Sequence, residues 1–163
     1  MFCKSLDEAQ AGDQMGALLR GIKRDDVRRG MMIAKPGTLK QSNHIETKVY
    51  ITTKAEGGRT KPIVHGNFLH MFSKTWDTMS VVELGDKELV MPGEDAQIKA
   101  KLFKPMAVEP GQRFTLRCSG LTVGTGVITK ILDPLPTAEA DVLHLGKKGE
   151  KKLARAQAAS QAK

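Results

Sequence analysis

Cysteine, aromatic residues and long apolar runs are all scarce in this chain of 163 residues. The two cysteines, Cys3 and Cys118, are too few for a disulfide framework and lack metal-ligand spacing. We therefore expect reduced thiols in an intracellular or organellar compartment. No apolar run approaches the ~20 residues that cross a bilayer, so we expect no membrane span. From the residues at the start of the sequence we expect neither a secretory signal nor an Arg-rich transit peptide.

The sequence motifs of phosphate-binding and metal-binding enzymes are also missing. The chain has no P-loop, and its Gly124-Thr125-Gly126 sequence lies inside a strand-like run with no helix after it. The four histidines have no ligand spacing. The adjacent acids Asp25 and Asp26 have diverging side chains and make a poor acid–base pair. These absences predict a chain with no catalytic residue, no metal ligand and no cofactor of its own.

Positive charge, in contrast, is abundant. Lys and Arg total 26 against 18 Asp and Glu, which gives a formal net charge of +8. This excess favours a polyanionic partner, and RNA is the polyanion that we expect. The alternative is a basic protein whose charge serves solubility alone. The 40% share of hydrophobic residues is typical of a folded domain. A length of 163 residues allows one well-packed core and a fragment of a second domain.

Short runs in which apolar and polar residues alternate extend through residues 43–132, separated by glycine-rich and Pro-Gly turns. About six such strands in some ninety residues predict a small closed antiparallel barrel, which leaves no free edge. Phe68, Phe72 and Trp76 supply much of the aromatic mass. Their spacing of four could indicate a helix, but between strands we interpret them as core and barrel-end packing.

The first forty residues contain two more strand-like runs, at 15–22 and 31–34. Two or three strands with free edges do not make a stable unit alone. This segment is therefore expected to need a partner surface, which it would contact through four residues: Met15, Ala17, Leu19 and Ile33.

The composition changes after Asp133-Pro134-Leu135-Pro136. Residues 138–163 are rich in Ala, Lys, Gln and Leu, and Gly146 and Gly149 interrupt any helix there. We expect a flexible basic tail that orders on a partner. It would contact RNA phosphates through four lysines: Lys147, Lys148, Lys151 and Lys152.

Several motifs, in order along the chain, resemble elongation factor Tu. The run 16–24 and Ala34-Lys35-Pro36-Gly37 look like the end of its second domain. Five further segments look like its third domain: Lys48-Val49-Tyr50-Ile51, Glu56-Gly57-Gly58-Arg59, Met91-Pro92-Gly93-Glu94-Asp95, 111–117 and 122–126. The resemblance implies an all-β chain in which residues 1–40 end the second barrel and residues 41–133 form a closed six-stranded antiparallel barrel. Residues 134–163 would be a basic tail with helical potential.

In that family a guanine-nucleotide domain precedes two barrels that bind aminoacyl-tRNA and the exchange factor. The resemblance implies a non-catalytic C-terminal module, with tRNA or rRNA, a GTPase domain and the exchange factor Ts as partners. GTP and Mg²⁺ would enter only with a separately supplied GTPase domain. Arg59 and Lys104 match tRNA-contacting positions, although each can equally be a solvated cation. The resemblance also implies a partner interface at Gly57, Arg113 and Thr115.

The chain departs from the family pattern in several places. It carries no guanine-nucleotide domain, and His70, Met79 and Leu121 stand where the family usually has Gln, Thr and Arg. Residues 71–77 resemble the mitochondrial branch, which implies the mitochondrial matrix, or otherwise the cytoplasm. The alternative function is that of a repurposed structural subunit of a large mitochondrial assembly such as the mitoribosome. That subunit would bind RNA or protein through the barrel and the tail.

Overall fold

The computed structural model describes residues 7–85 and 87–136, most of which form a β-barrel. The strands in this part of the chain are β1 Lys40–Ile51, β2 Ile63–Val64, β3 Phe68–Ser73, β4 Trp76–Glu83, β5 Leu89–Val90, β6 Asp95–Val108, β7 Arg113–Cys118 and β8 Leu121–Ile131. Six of them close a barrel in the order β1-β6-β4-β3-β7-β8, with antiparallel pairing throughout. The predicted closed six-stranded barrel is confirmed. β2 and β5 pair separately as a two-stranded ladder.

The barrel interior is filled by alternate residues of its strands. On β1, Ile45, Thr47, Val49 and Ile51 are at most 1% exposed. Thr47 satisfies its buried hydroxyl by donating a hydrogen bond to the carbonyl of Ile98 at 3.2 Å. Because strand side chains alternate with a period of two, burial of these residues turns the polar ones between them to the outer surface.

The three aromatic residues that were interpreted as core and barrel-end packing lie on different sides of the barrel wall. Trp76 is 2% exposed and belongs to the core, as predicted. Phe68 is 39% exposed and Phe72 is half-buried on the outer face of β3, so the core interpretation is wrong for them. The reason is the β3–β4 hairpin: Trp76 begins a new strand beyond Lys74, which has a φ of 48°, and the inward phase restarts there.

The strands predicted at 15–22 and 31–34 are wrong. Residues 7–39, all described by the structure, contain no strand and one short 3₁₀ turn, Arg24–Asp26. Without neighbouring strands to complete a sheet, their backbone groups gain nothing from an extended ladder. All four residues predicted to contact a partner are exposed: Ala17, Met15 at 61%, Leu19 at 41% and Ile33 at 78%.

Gly30 and Arg29 attach this N-terminal segment to the barrel. Gly30 is its buried residue, with a φ of 89°, and a Cβ built there would lie 2.7 Å from the Cβ of Trp76. Next to it, Arg29 donates a hydrogen bond to Oδ1 of Asp77 at 3.2 Å. Glycine is required here because the backbone must approach Trp76 closely in a left-handed conformation.

Cys118 is a free thiol that packs, half-buried, against the core, and Cys3 lies outside the described residues. Within residues 7–85 and 87–136, no helix reaches the length and apolar character that a membrane crossing needs.

His44 is expected to make the barrel sensitive to acid. Its Nε2 atom is buried and has no hydrogen-bond partner in the described part of the chain. Burial lowers the pKa of His44 from its ordinary 6.5, and the charges of Lys101 and Lys99 act in the same direction. A hydrogen bond with the Asp133 backbone and the charge of Glu83 oppose these effects without cancelling them.

We therefore expect the free energy of unfolding to fall as the solution is acidified below the unfolded pKa of about 6.5. The folded pKa of His44 is the lower one, so the unfolded chain binds more protons in the window between the two values. The measurement is the urea midpoint at about pH 7.5 and about pH 5.5 for the wild type and His44→Gln. The drop should be larger in the wild type, and equal drops would contradict the assignment to His44.

Candidate functional site

A groove of about 700 Å³ crosses the outer surface of β1, β8, β7 and β3. We call it the outer groove. The lining side chains that concern its chemistry are Lys48, Tyr50, Phe72, Lys74, Asp95, Arg113, Thr115, Thr125 and Val127.

Strand register explains why these residues meet. Tyr50 pairs with Thr125, Thr125 pairs with Thr115, and Thr115 pairs with Phe72, which gives one continuous row across four strands. A second row, one step further along, joins Lys48 to Val127 and Val127 to Arg113. The two rows form the floor of the outer groove, because residues two apart on a strand share a face.

Cations predominate among the charged residues of the outer groove. Lys48, Lys74 and Arg113 line it together with one carboxylate, that of Asp95. Lys74 forms an ion pair with Glu109 at 2.5 Å. Within residues 7–85 and 87–136, no ion pair is found for Lys48 or Arg113. The outer groove therefore offers two cations to a partner of opposite charge, beside the aromatic rings of Tyr50 and Phe72.

A short loop holds Tyr50 in place at one end of the outer groove. The Glu56 carboxylate accepts hydrogen bonds from the Tyr50 hydroxyl at 3.0 Å and from the Thr53 backbone at 2.8 Å. The hydrogen bond from the Thr53 backbone contributes most to lowering the pKa of Glu56, and the hydrogen bonds from the Thr53 and Tyr50 hydroxyls lower it further. The same carboxylate raises the pKa of Tyr50. Gly57 follows in a left-handed conformation with a φ of 83°.

The residues predicted for a partner interface are thus partly brought together. Arg113 and Thr115 both line the outer groove, on the same face of β7. Gly57 lies in the loop next to it but does not line it. The other four predicted interface residues are exposed in the N-terminal segment and do not line the outer groove: Met15, Ala17, Leu19 and Ile33.

The two basic residues predicted to contact RNA within the barrel are not neighbours. Arg59 donates hydrogen bonds to the carbonyls of Lys61 at 2.8 Å and Pro62 at 2.5 Å, which fixes its own loop. Lys104 is exposed on β6. The loop follows the end of β1 that pairs with Asp95, whereas Lys104 lies toward the other end of β6, near the residues that pair with Ser42 and His44.

Several groove residues were not identified from the sequence. Lys48, Tyr50, Lys74 and Val127 were recognised only as strand or turn positions, because alternation gives the outward face of each strand but not its register. Arg113 and Thr115 were the one available indication of the groove, because residues that pair with them on neighbouring strands must lie on the same outer face of the sheet. The predicted RNA contacts Lys147, Lys148, Lys151 and Lys152 lie outside the described residues.

The described residues contain no group of three or more His, Cys, Asp or Glu side chains placed to hold a metal ion. The Gly124-Thr125-Gly126 sequence lies within β8, so these glycines do not form a phosphate-binding loop.

Comparison with protein families identifies the barrel. The family model described as the elongation factor Tu C-terminal domain matches residues 38–132. This range spans more than half of the 163 residues and contains all six barrel strands. It supports the resemblance stated above for the third domain of elongation factor Tu. The chain therefore belongs to the elongation factor Tu C-terminal domain family.

Proposed function

We propose that this chain is the non-catalytic C-terminal module of a mitochondrial-type elongation factor Tu. In this role it acts with a separately supplied GTPase domain, which alone brings GTP and Mg²⁺. Its outer groove docks that domain, and the module contributes to binding of aminoacyl-tRNA and the exchange factor Ts. The family membership of the barrel supports a role in translation elongation.

One observation carries the docking proposal: Arg113 and Thr115, assigned to a partner interface by resemblance, converge in the outer groove. Both lie in cross-strand rows that put aromatic, hydroxyl and cationic groups on one rigid surface. A folded domain with a complementary acidic patch can dock there without reorganising the barrel, which keeps the entropic cost of binding low.

Calorimetric titration of the full chain with a recombinant GTPase domain of an elongation factor Tu tests this docking. We expect saturable binding that Arg113→Glu weakens about tenfold or more, because charge reversal places a like charge against an acidic partner. Lys130→Glu is the matched control, since it makes the same charge change at an exposed position of β8 outside the outer groove. Absence of binding, or equal weakening by both variants, would contradict the proposal.

Nucleic acid binding is the second part of the proposed function. Arg59, Lys104 and the lysines at 147, 148, 151 and 152 would contact phosphates of tRNA or rRNA, in a strongly salt-dependent manner. Filter binding of aminoacylated and deacylated tRNA, with and without the GTPase domain, measures this contribution. Preference for aminoacylated tRNA when the GTPase domain is present would support an elongation factor.

The mitochondrial assignment is supported by the resemblance of residues 71–77 to the mitochondrial branch. We place the protein in the mitochondrial matrix on this ground. Fractionation of cells that express the tagged protein tests the location, and a purely cytoplasmic signal would contradict it.

A structural subunit of a large mitochondrial assembly such as the mitoribosome is the second candidate function. It is favoured by the exposed apolar residues of the N-terminal segment, among them Leu18 at 89% and Ile33 at 78%. Burial of such residues against a neighbouring protein makes the free energy of association more favourable. Weak and equal binding of both tRNA forms, together with co-sedimentation of the chain with ribosomal particles, would favour this candidate.

A further inference from the structure

Residues 132–136 follow β8 and lie beside β1 without forming a further strand. Pro134 and Pro136 are part of this segment. Proline has no backbone N–H, so a regular ladder against β1 cannot continue through these positions. The segment is fixed to β1 instead by a few individual hydrogen bonds.

Three consecutive residues near the start of β1 hold this segment. The Leu132 amide donates a hydrogen bond to the His44 carbonyl at 3.0 Å. The Ser42 hydroxyl lies between two carbonyl acceptors, that of His44 at 3.0 Å and that of Leu132 at 3.3 Å. The Leu135 amide donates to Oδ1 of Asn43 at 2.8 Å. We call Ser42, Asn43 and His44 the C-terminal clasp.

An irregularity of β1 explains why Asn43 can take part. The register between β1 and β6 shifts between Ser42 and His44, and Asn43 has no partner residue in the pairing of these two fully described strands. Asn43 is 6% exposed, so its side-chain amide needs hydrogen-bond partners inside the protein. The Leu135 amide provides one of them, which links the burial of Asn43 to the position of residues 132–136.

His44 is the residue of the C-terminal clasp whose charge changes near neutral pH. Its Nε2 atom is buried and has no hydrogen-bond partner within residues 7–85 and 87–136. Protonation puts a hydrogen on both ring nitrogens, so Nε2 becomes a buried donor without an acceptor. Both this donor and the new charge favour a conformation in which the ring reaches water.

The elements around His44 do not compensate for a positive ring. Charged and hydrogen-bonding groups near it are Lys99 and Lys101 of β6, Glu83 of β4, Glu46 of β1 and the backbone of Asp133. Burial is the largest influence and lowers the pKa of His44, while the Asp133 hydrogen bond opposes it. Glu83 is already paired with Lys101 at 2.7 Å, so it offers little attraction to a second cation.

The segment 132–135 is the part of this site that can move away. It lies beyond the last ladder pair of β1 and β8 at that end, Ile45 with Ile131. Its residues are half-buried or exposed, whereas Ile45 is fully buried. Segments with little buried apolar surface open at a lower free energy than the core of a barrel does.

We propose that the C-terminal clasp is a pH-sensitive device that holds residues 132–135 against β1 while His44 is neutral and releases them when His44 is protonated. Release adds this segment to the connection between the barrel and residues 137–163. The inference goes beyond the proposed function, because neither domain docking nor nucleic acid binding was assigned to any residue of the clasp.

Amide hydrogen exchange of the full chain, followed by NMR spectroscopy, tests the release. The observables are the protection factors of the Leu132 and Leu135 amides at about pH 7.5 and about pH 5.5, each corrected for the intrinsic exchange rate at that pH. A released His44 titrates near its ordinary pKa of about 6.5, so this interval can raise the open population by at most about tenfold. We expect both protection factors to fall about three- to tenfold.

Three variants identify the group responsible. His44→Gln should abolish the fall, because glutamine keeps a polar side chain but does not titrate in this range. His65→Gln makes the same change at an exposed histidine and should behave as the wild type. Asn43→Ala should lower the protection of Leu135 at both pH values while the fall at Leu132 persists. An equal fall in His44→Gln and the wild type would overturn the proposal.

Low concentrations of urea separate release of the segment from unfolding of the barrel. The Ile128 amide of β8 donates to the Gln112 carbonyl at 2.9 Å and reports on the barrel. Local release exposes little surface, so exchange at Leu132 and Leu135 should change little with urea while exchange at Ile128 accelerates. Equal protection and equal urea dependence at all three amides would mean that the segment opens only by global unfolding, which would also overturn the proposal.

Discussion

Replacing Trp76 by alanine is expected to lower the free energy of unfolding by about 3–5 kcal/mol, the usual cost of removing a buried aromatic side chain. Trp76 is 2% exposed at the start of β4 and belongs to the core. Its Nε1 atom donates a hydrogen bond to the carbonyl of Ala107 at 3.2 Å, which ties β4 to β6. The substitution removes the ring, this hydrogen bond and the surface on which Gly30 rests.

Urea denaturation of Trp76→Ala, read by far-UV circular dichroism, measures the loss. The melting temperature should also fall by at least about 12 °C, since each kcal/mol shifts a domain of this size by roughly 4 °C or more. Phe68→Ala is the control, because it removes an aromatic ring from the outer face of the neighbouring strand. It should cost only about 1 kcal/mol. Similar losses in the two variants would contradict the assignment of Trp76 to the core and Phe68 to the surface.

The position of Trp76 also shows what alternation can and cannot predict. Along β1 the period of two persists over Ile45, Val49 and Ile51, and the inward face follows directly from the sequence. Between Phe68 and Trp76 the phase is interrupted by a hairpin at Lys74. A spacing of four then joins residues on opposite sides of the barrel wall. The equal spacing of the three aromatic residues was therefore misleading, because a turn between the second and the third changes which face of the strand is buried.

The N-terminal segment shows a different limit. The runs at 15–22 and 31–34 have strand-like composition, yet a strand also needs a neighbour to accept its backbone hydrogen bonds. The described chain supplies none for them, and Leu18 remains 89% exposed. Composition indicated a local preference for extended backbone, but the absence of a pairing strand decided the structure, and the strand prediction was wrong. The expectation that this segment needs a partner surface stays a prediction.

The outer groove could be predicted in part. Arg113 and Thr115 were identified from resemblance alone, and they lie on the groove floor. Their neighbours Lys48 and Val127 depend on the register between β1, β8 and β7. That register is set by closure of the barrel and includes shifts after Glu46 and after Leu116. No local pattern encodes such long-range shifts, so the complete site appears only in the folded barrel.

Closure of the barrel is also the basis of the second large effect, expected for Gly126→Ala. A Cβ built on Gly126 points inward, toward the Lys48 carbonyl, and lies 2.8 Å from Phe114 Cζ and 2.9 Å from Val49 Cγ2. The Lys48 carbonyl belongs to the backbone of β1, so it cannot move aside as the end of a flexible side chain would. The added methyl must therefore push β8 away from β1, at a cost of about 3 kcal/mol, as in other overpacked cores.

The urea midpoint of Gly126→Ala should fall accordingly, and the same variant should weaken docking of the GTPase domain. Thr125 and Val127 flank Gly126 and line the outer groove, so displacement of β8 disturbs both cross-strand rows at once. Gly16→Ala is the control, because a Cβ there meets nothing within 4 Å and its φ is not in the left-handed region. Its midpoint should match the wild type. If Gly126→Ala were equally neutral, the close contact between β8 and β1 would be excluded, and with it the tight barrel closure that positions Arg113 opposite Lys48 across Val127.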